Sequence, residues 1–336
     1  MFNKTYFLMK KNIAVIMGGY SSEHDISVKS GTTVFNHIDS NLYNPYKVII
    51  DKDNWNLVSS DGVNYPINRE YFNCTVNDVE INFEVVFVMI HGTPGEDGII
   101  QKYFDNLNIP YTGPSSEVAL LTFNKKSCVE FARKNNIRTA NSILIKENTD
   151  FSYEKIGEEL KFPLFVKANN SGSSYGISKV YNVEELEIAI ENSFEFDSEV
   201  LVEQFLDGKE VSVGVMNYEN EIKVFGITEI ATTNDFFDYE AKYEGKHEEI
   251  SPARINEIQK ENVEKTAKEI YVKLNMRGFS RSDFIFIGDT PFLLEVNSIP
   301  GMTEQSIFPK QVKMNNISLR KLFTYMIEDT LKNFKK

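Results

Sequence analysis

Cysteine is almost absent from this chain, which has two cysteines, Cys74 and Cys128, in 336 residues. Two thiols cannot build a multi-bridge disulfide framework or a cysteine-rich zinc site. Cys128 lies in a segment that is compatible with a helix, where a free cysteine usually behaves as a small buried hydrophobe. The sequence therefore excludes the disulfide-rich and zinc-finger classes, and we expect Cys128 to be an inert core thiol.

Long apolar runs and an excess of basic residues are also missing. No run approaches the roughly 18 apolar residues of a membrane span, and the apolar patch in residues 1–12 is too short for a signal peptide. The net charge of −13 argues against the basic face that a nucleic-acid-binding protein needs, although local basic pockets remain possible. We therefore expect a cytoplasmic globular protein that binds neither a membrane nor nucleic acid.

The first third of the chain has the pattern of a doubly wound α/β domain. Residues 12–17 form a buried-strand pattern, which a glycine turn and helix-compatible sequence follow. Residues 46–50 and 83–90 predict further strands, and the latter run is apolar on both faces, as a central parallel strand is. Ligands bind beyond the carboxyl ends of such strands, where Glu23 and residues 91–98 lie.

From about residue 140 the periodicity changes to that of antiparallel strands. Before this change, residues 115–134 predict one continuous helix. Residues 162–168 and 177–181 predict two strands joined by a loop rich in glycine and serine, whose backbone N–H groups suit a phosphate. A plain flexible hairpin loop is the alternative. Lys167 favours the phosphate site, because it ends a strand that is otherwise free of charge.

Residues 277–305 predict a β-hairpin whose strands flank the turn signal Gly288-Asp289-Thr290. Side chains alternate between the two faces of a strand. The even-numbered positions are apolar and predict the core face: Phe284, Phe286, Phe292, Leu294 and Val296. The opposite face carries polar side chains at the end away from the turn: Arg281, Asp283, Glu295 and Asn297.

A three-residue loop in this hairpin places Asp283 opposite Glu295 and Arg281 opposite Asn297. The Cβ atoms of opposed residues are about 5 Å apart, and two carboxylates at that distance repel each other unless a cation lies between them. Oxygen ligands favour a hard cation, and Mg²⁺ is the first choice because it takes one or two carboxylates together with phosphate oxygens. The hairpin alone is equally compatible with a solvated polar face and no metal.

Five segments, taken in order, carry a resemblance to a known family. They are GGYSSEHDIS (18–27), HGTPGEDG (91–98), VKANNSGSSYGISKV (166–180), FDYEAKY (237–243), and RSDF (281–284) with LEVNSIPGMT (294–303). Together they resemble the ATP-grasp enzymes and, within that superfamily, the D-alanine–D-alanine ligase family. The first two segments match neither a Walker A loop nor the G-x-G-x-x-G pattern, so the usual nucleotide motifs do not explain them.

The resemblance implies a three-domain protein of the α/β and α+β classes. An N-terminal doubly wound α/β domain that binds substrate spans residues 1–115. The ATP-grasp fold then divides into a central subdomain, residues 116–205, and a C-terminal catalytic domain, residues 206–336, with ATP between them. The implied partners are ATP, Mg²⁺ or Mn²⁺ (two ions), D-alanine, and a second copy of the chain in a homodimer.

The implied reaction joins two D-alanines through an acylphosphate, for peptidoglycan precursor synthesis. The resemblance assigns catalytic roles to Glu23, Ser173, Tyr243, Arg281 and Gly301. It assigns substrate binding to His91 and Ser306, and metal binding to Asp283, Glu295 and Asn297. The residues that it assigns to ATP are Lys125, Lys167, Ser174, Glu203, Glu210 and Lys242. The fork of donors on an arginine suits the oxyanion role that Arg281 receives here.

Two alternatives to dipeptide synthesis stay open from the sequence. Residues 236–243 are both aromatic and charged, which indicates a lid or an interface patch. By resemblance, Tyr243 in this segment favours synthesis of a dipeptide. It argues against a product that contains D-lactate and against the product of another amino-acid ligase. A nucleotide-binding regulator without catalysis is the second alternative, and the complete polar face of the hairpin argues against it. Three positions depart from the usual family pattern without removing a catalytic group: Asn124, Ala168 and Ser171.

Overall fold

The computed structural model describes residues 10–170, 177–232 and 247–334, and the strands within those ranges form three sheets. Four of the residues assigned to the site by resemblance lie outside the described residues: Ser173, Ser174, Lys242 and Tyr243. Among the helices that the structure describes, none is long and apolar enough to cross a membrane.

The first sheet is built around one buried strand. Strand β1 (Lys11–Gly18) lies between β2 (Tyr43–Ile50) and β7 (Val85–Val88) and is parallel to both. Helix α1 (His24–His37) packs against β1. The side chains of residues 13–17 are completely buried, because a parallel strand at the centre of an α/β layer is covered on both faces. The predicted strand–turn–helix unit is confirmed.

The outer half of this sheet was not predicted. Between β2 and β7 the chain forms four short antiparallel strands, which extend the sheet in the order β6-β5-β4-β3-β2-β1-β7. These strands are β3 (Trp55–Val58), β4 (Asn64–Asn68), β5 (Asn73–Val76) and β6 (Val79–Asn82). Each has only four or five residues, which is too short for a two-residue alternation to stand out in the sequence.

The predicted helix over residues 115–134 is wrong as a single element. After α2 (Ile99–Leu107), the chain forms α3 (Ser116–Phe123) and α4 (Lys125–Lys134), which are separated at Asn124. Asn124 has an extended backbone and its side chain accepts a hydrogen bond from the Ser127 N–H, so it caps the second helix. As a consequence, Lys125 stands at a helix N-terminus instead of in mid-helix.

The second sheet has four antiparallel strands in the order β10-β9-β11-β8. Its strands are β8 (Ser142–Lys146), β9 (Leu164–Ala168), β10 (Ser178–Val180) and β11 (Glu199–Gln204). Two helices, α5 (Tyr153–Leu160) and α6 (Val183–Phe194), supply apolar side chains to its core. The loop predicted for phosphate follows β9, so Lys167 lies near its first residues.

The third sheet has five antiparallel strands in the order β14-β13-β12-β15-β16. Its strands are β12 (Lys209–Tyr218), β13 (Glu221–Thr232), β14 (His247–Ile250), β15 (Phe279–Ile287) and β16 (Thr290–Asn297). Three helices complete the chain: α7 (Glu257–Lys273), α8 (Ile307–Met314) and α9 (Leu319–Asn333). Helices α8 and α9 share one apolar core with the first sheet, so the C-terminal and N-terminal parts of the chain are packed together.

The predicted hairpin is present, but its turn and its core face differ from the prediction. Ile287 pairs with Thr290 across a two-residue turn, and a bulge beside Asp283 then shifts the register by one residue. The core face before the bulge therefore carries Pro291 and Leu293, whereas the predicted Phe292 and Leu294 are only half-buried. A slip of one residue exchanges the faces of a strand, and the bulge exchanges them back.

Candidate active site

The bulge restores the predicted pairing at the far end of the hairpin. Asp283 lies opposite Glu295, and Arg281 lies opposite Asn297. Arg281 grips Asp283 with two hydrogen bonds, Nε to Oδ1 at 3.1 Å and Nη2 to Oδ2 at 2.9 Å. The Asn297 amide donates to Asp283 Oδ2 at 3.0 Å and to Glu295 Oε1 at 3.4 Å. We call these four residues the hairpin face.

Neighbouring strands fix the orientation of the hairpin face. The Ser212 hydroxyl, on β12, donates to Asp283 Oδ1 at 2.6 Å. Burial opposes the charge on the Arg281 guanidinium, but the attraction and hydrogen bonds of Asp283 outweigh it and raise the pKa of Arg281. The guanidinium therefore stays charged, and it is half-buried beside the Asp283 carboxylate, which the Ser212 hydroxyl also contacts.

Two lysines approach the hairpin face from the other elements. Lys125 Nζ, at the start of α4, lies 3.6 Å from Glu295 Oε2. The first turn of α4 is docked on the end of β9, where the Asn169 carbonyl accepts from the Lys125 N–H at 3.1 Å and the Asn169 side chain accepts from the Lys126 N–H at 2.9 Å. The helix break at Asn124 therefore places one cation beside the predicted metal ligands.

The second lysine, Lys167, forms an ion pair with Glu203 within the second sheet. Its Nζ lies 2.5 Å from Glu203 Oε2, and both side chains are almost fully buried. Burial lowers the pKa of Lys167, but Glu203 outweighs this effect and raises it. Glu210 lies at the start of β12, opposite Ile230 and Ile285. Lys167 and Glu203 therefore belong to the second sheet, and Glu210 belongs to the third.

The donor set of the hairpin face fits a hard cation that is completed by a ligand. Among the described residues, no three His, Cys, Asp or Glu side chains come together as a metal site. Two carboxylates and one amide would leave several coordination positions for phosphate oxygens or water, and Mg²⁺ or Mn²⁺ accepts such a set. The carboxylates at present balance their charge against Arg281 and Lys125.

A second group of site residues lies on the loops of the first sheet. Glu23 immediately precedes α1, and its neighbour Ser21 donates to the His91 carbonyl at 3.2 Å. A Cβ placed on Gly92 would stand 3.2 Å from Glu23 Oε2 and 2.6 Å from Ser21 Oγ, and Gly92 has a φ of +66°. A glycine is therefore required here for two reasons. Its positive φ disfavours other residues, and the Ser21 and Glu23 side chains leave no room for a Cβ.

Glu96 is a site residue that sequence reasoning did not single out. Its Oε2 accepts the Gly92 N–H at 2.8 Å. Burial, and then the negative charge of Glu23, raise the pKa of Glu96 to about 8. The carboxyl is therefore largely neutral near pH 7, beside a second acidic residue. The feature that could have identified Glu96 in the sequence is its position as an acidic residue within the glycine-rich segment 91–98.

His91 has both ring nitrogens occupied by protein groups. Nδ1 lies 2.9 Å from the Ile299 carbonyl oxygen, and Nε2 lies 3.1 Å from Ser30 Oγ. Burial lowers the pKa of His91, and the opposing effect of Glu23 does not reverse this. The ring is therefore neutral. Ser30, on α1, is the other residue here that the sequence did not reveal, since a serine inside a helix carries no motif.

The loop after the hairpin holds the remaining predicted residues. Ser306 Oγ accepts the Thr303 N–H at 3.1 Å and contacts Thr303 Oγ1 at 2.8 Å. A Cβ on Gly301 would stand 3.0 Å from Ser306 Oγ, so the two residues are adjacent. Through Ile299 this loop contacts His91, and so the structure brings the described residues predicted from the N-terminal loops and from the hairpin into one region.

The four-stranded second sheet, the five-stranded third sheet with its oxygen-rich hairpin, and the lysine–glutamate pairs Lys167–Glu203 and Lys125–Glu295 agree with an ATP-grasp fold, which the solved structural neighbours share. A sequence model described as the D-ala D-ala ligase N-terminus matches residues 12–114, and one described as the D-ala D-ala ligase C-terminus matches residues 133–328. The chain belongs to the D-alanine–D-alanine ligase family.

Individual relatives agree with this assignment. The D-alanine–D-alanine ligase of Flavobacterium johnsoniae is 48% identical over 96% of this chain and 99% of its own length. The solved structure of the VanG D-Ala:D-Ser ligase from Enterococcus faecalis is 31% identical, with a TM-score of 0.86 over 96% of this chain and 99% of its own. A D-alanine–D-alanine ligase from Bacillus anthracis, complexed with ATP, is 27% identical, with a TM-score of 0.77 over 96% and 98%.

Proposed function

We propose that this protein is an ATP-dependent ligase that joins two D-alanines to D-alanyl-D-alanine, for peptidoglycan precursor synthesis. The observation that carries the proposal is the hairpin face, which lies beside Lys125 in a chain that a named D-alanine–D-alanine ligase matches over 96% of its length. Phosphoryl transfer requires positioning and charge neutralisation more than covalent chemistry. This site offers fixed cations, fixed carboxylates and little else that could react.

In this proposal, the nucleotide binds between the second and third sheets. Lys125 and Lys167 are positioned to neutralise phosphate oxygens, and Lys242 and Ser174 join them by resemblance. A carboxylate can only accept hydrogen bonds, so Glu203 suits the adenine amino group and Glu210 the ribose hydroxyls. Asp283, Glu295 and Asn297 would hold one or two Mg²⁺ or Mn²⁺ ions, which supply charge neutralisation on the phosphates when they are bound.

We assign substrate binding and the second reaction step to the loops of the first sheet and to the loop that follows the hairpin. In the proposed reaction, a carboxylate oxygen of the first D-alanine attacks the γ-phosphorus and ADP leaves. The amine of the second D-alanine then attacks the carbonyl carbon of the acylphosphate. The tetrahedral intermediate loses phosphate, and the amine loses its proton. Arg281 and the Gly301 N–H suit the oxyanion of that intermediate, because preorganised donors stabilise charge as it develops.

The remaining residues fit substrate recognition. Glu23 suits the ammonium of the first D-alanine, with Ser173 and Tyr243 as its hydrogen-bonded partners by resemblance. By resemblance His91 suits the carboxylate of the same D-alanine, and Ser306 suits the carboxylate of the second D-alanine. A homodimer formed through the N-terminal domain, and domain boundaries near residues 115 and 205, also remain part of this proposal.

The test is phosphate release from Mg-ATP, combined with mass spectrometry of the products. Four reactions are compared: D-alanine, L-alanine, D-alanine with D-lactate, and D-alanine with D-serine. The proposal predicts release with D-alanine alone and the mass of D-alanyl-D-alanine. Release that requires D-lactate or D-serine would overturn the second-substrate assignment, for which the likeness to the D-Ala:D-Ser ligase gives a specific reason to look. Binding of ATP without release in all four reactions would indicate a regulator.

A further inference from the structure

One buried cluster joins the N-terminal sheet to the loop that holds Gly301. We call residues 299–302 the oxyanion loop. The Ser30 side chain contacts His91 and the backbone of Met302, which are 61 and 272 residues away in sequence. Ser30 and Met302 are completely inaccessible to solvent and Ile299 is 3% exposed. Ser30 and Met302 therefore have no exposed surface with which to contact a substrate.

The direction of each hydrogen bond in this cluster can be assigned. A carbonyl oxygen can only accept, so His91 Nδ1 carries the proton that it shares with Ile299 at 2.9 Å. In the neutral ring Nε2 then has no proton and accepts from the Ser30 hydroxyl at 3.1 Å. The same hydroxyl oxygen accepts the Met302 N–H at 3.1 Å. Each donor has an acceptor, and each is used once.

These bonds form a closed path that leaves the oxyanion loop at one end and returns at the other. The path runs from the Met302 N–H to Ser30, from Ser30 to His91, and from His91 back to the Ile299 carbonyl. The Gly301 N–H lies between the two attachment points. Since displacement of about 1 Å can cost about 100-fold in rate, the position of this loop matters for any donor that it carries.

We propose that Ser30 is a positioning residue for the ligase reaction: it fixes the oxyanion loop through Met302 and His91, and so aims the Gly301 N–H at the tetrahedral oxyanion. This inference rests on the proposed function. It also gives the His91 ring a second task, which is to hold the loop by its neutral Nδ1–H tautomer. Ser30 acts only through these neighbours, because its side chain has no exposed surface from which to reach a substrate.

The charged groups around the cluster do not compete with this arrangement. Glu23 and Arg281 act on the His91 ring in opposite directions, and burial is the largest effect and keeps the ring neutral. The backbone of Ile299 also lowers the pKa of Glu96 through a hydrogen bond. Glu96 therefore adds a further link between the N-terminal loops and the same end of the oxyanion loop.

The experiment compares Ser30→Ala with Ser27→Ala, a matched control on the same helix. Ser27 is equally buried, and its hydroxyl also makes two hydrogen bonds to backbone groups, at 2.8 Å to the Met89 carbonyl and 2.8 Å from the Gly18 N–H. Its two hydrogen bonds to described residues reach β1 and the end of β7, not the oxyanion loop, so it reports the cost of losing a buried serine hydroxyl. Steady-state kinetics are measured with D-alanine and Mg-ATP, and Tm is measured for each variant.

For Ser30→Ala we expect kcat to fall by about 10- to 100-fold while the KM for ATP stays within about twofold, because a misplaced donor weakens the transition state and not nucleotide binding. Ser27→Ala is expected to lower Tm to a similar extent while kcat stays within about threefold. Ser30→Thr keeps the hydroxyl and should recover part of the lost kcat. Equal kcat values for Ser30→Ala and Ser27→Ala would overturn the inference.

A second variant keeps the test decisive if Ser30→Ala does not fold. His91→Asn retains an N–H donor on the Ile299 side but loses the partner of Ser30. It should lower kcat and should weaken binding of a phosphinate analogue of the tetrahedral intermediate by about 10-fold or more, with little change in ATP binding. Unchanged phosphinate affinity would overturn the inference alone. A wild-type enzyme that releases no phosphate with D-alanine would overturn the proposed function, and the inference with it.

Discussion

The hairpin face and the Ser30–His91 cluster meet at the same loop, but they are built in opposite ways. The hairpin face holds its geometry with charge: two carboxylates, one guanidinium and one nearby ammonium group. The cluster holds its geometry with neutral hydrogen bonds among residues that are almost completely buried. The difference shows that two tasks are divided between two parts of the chain. The hairpin face provides electrostatic stabilisation, and the Ser30–His91 cluster fixes the position of the oxyanion loop.

The largest expected effect comes from a change in the hairpin face, which is the charged part of the site. Glu295→Gln keeps the shape of the side chain but removes one negative ligand, and we expect kcat to fall by about 10³-fold, since a metal contributes several kcal/mol of transition-state stabilisation. Phosphate release at saturating Mg-ATP and D-alanine measures it. Asp289→Asn, in the turn of the same hairpin, is the control and should keep its activity. A Glu295→Gln enzyme with near-normal turnover would contradict the metal assignment.

The next effect concerns the buried ion pair of the central sheet. Lys167→Met leaves the Glu203 carboxylate buried without its cation, and we expect the free energy of unfolding to fall by about 3–5 kcal/mol. Urea denaturation measures this loss. The double variant Lys167→Met with Glu203→Leu should recover much of it, because both charges are then gone. A double variant that is no more stable than the single one would show that the pair is not the cause.

A third prediction concerns how the stability of the protein depends on pH through Glu96, which belongs to the buried part of the site. In the folded protein this carboxyl has a pKa of about 8 instead of the ordinary 4.5. Between these values the folded state binds more protons than the unfolded chain, so stability is greatest below the window and is lost as the pH rises through it. Glu96→Gln is always neutral, and so the Tm of the variant should gain on the wild type as the pH rises.

The measurement is a series of Tm values for both proteins across this window. Glu80→Gln, at an exposed position on β6 of the first sheet, controls for the general loss of one negative charge. Parallel curves for wild type and Glu96→Gln would mean that Glu96 ionises normally in the folded protein.

The smallest expected effect is at the break between α3 and α4. Asn124→Ala removes the side chain that caps α4 and contacts Asn170, and we expect a loss of about 1 kcal/mol in the free energy of unfolding. Asn124→Asp keeps a capping oxygen and should retain most of the stability. Urea denaturation separates the two, and equal losses for both variants would contradict the capping role.

The sequence was most informative where chemistry and local periodicity coincide. The pairing of Asp283 with Glu295 was predicted correctly, although through a three-residue loop, whereas the chain uses a two-residue turn and a bulge. Alternation cannot locate a bulge, so the core positions Pro291 and Leu293 were missed. The four short strands between β2 and β7 were missed because each has only four or five residues, which is too few for a two-residue alternation to stand out.

The buried half of the site had no signal in the sequence. Ser30 lies in an ordinary helical segment, and its role becomes visible only when Met302, 272 residues later, packs against it. Glu96 belonged to a recognised segment, yet its altered pKa arises from burial and from Glu23. Such properties come from tertiary packing. The charged half, apart from Lys125 on α4, is made of residue types that the hairpin segment already displays.

The central claim is that ATP activates the D-alanine carboxylate as an acylphosphate, and an oxygen label tests it most directly. D-alanine with ¹⁸O at both carboxylate oxygens is incubated with Mg-ATP, and the released phosphate is examined by mass spectrometry. In an acylphosphate route, one carboxylate oxygen bonds to the γ-phosphorus and leaves with it when the second amine attacks. We therefore expect one ¹⁸O in each phosphate that is released together with dipeptide. Dipeptide formed with unlabelled phosphate would contradict it.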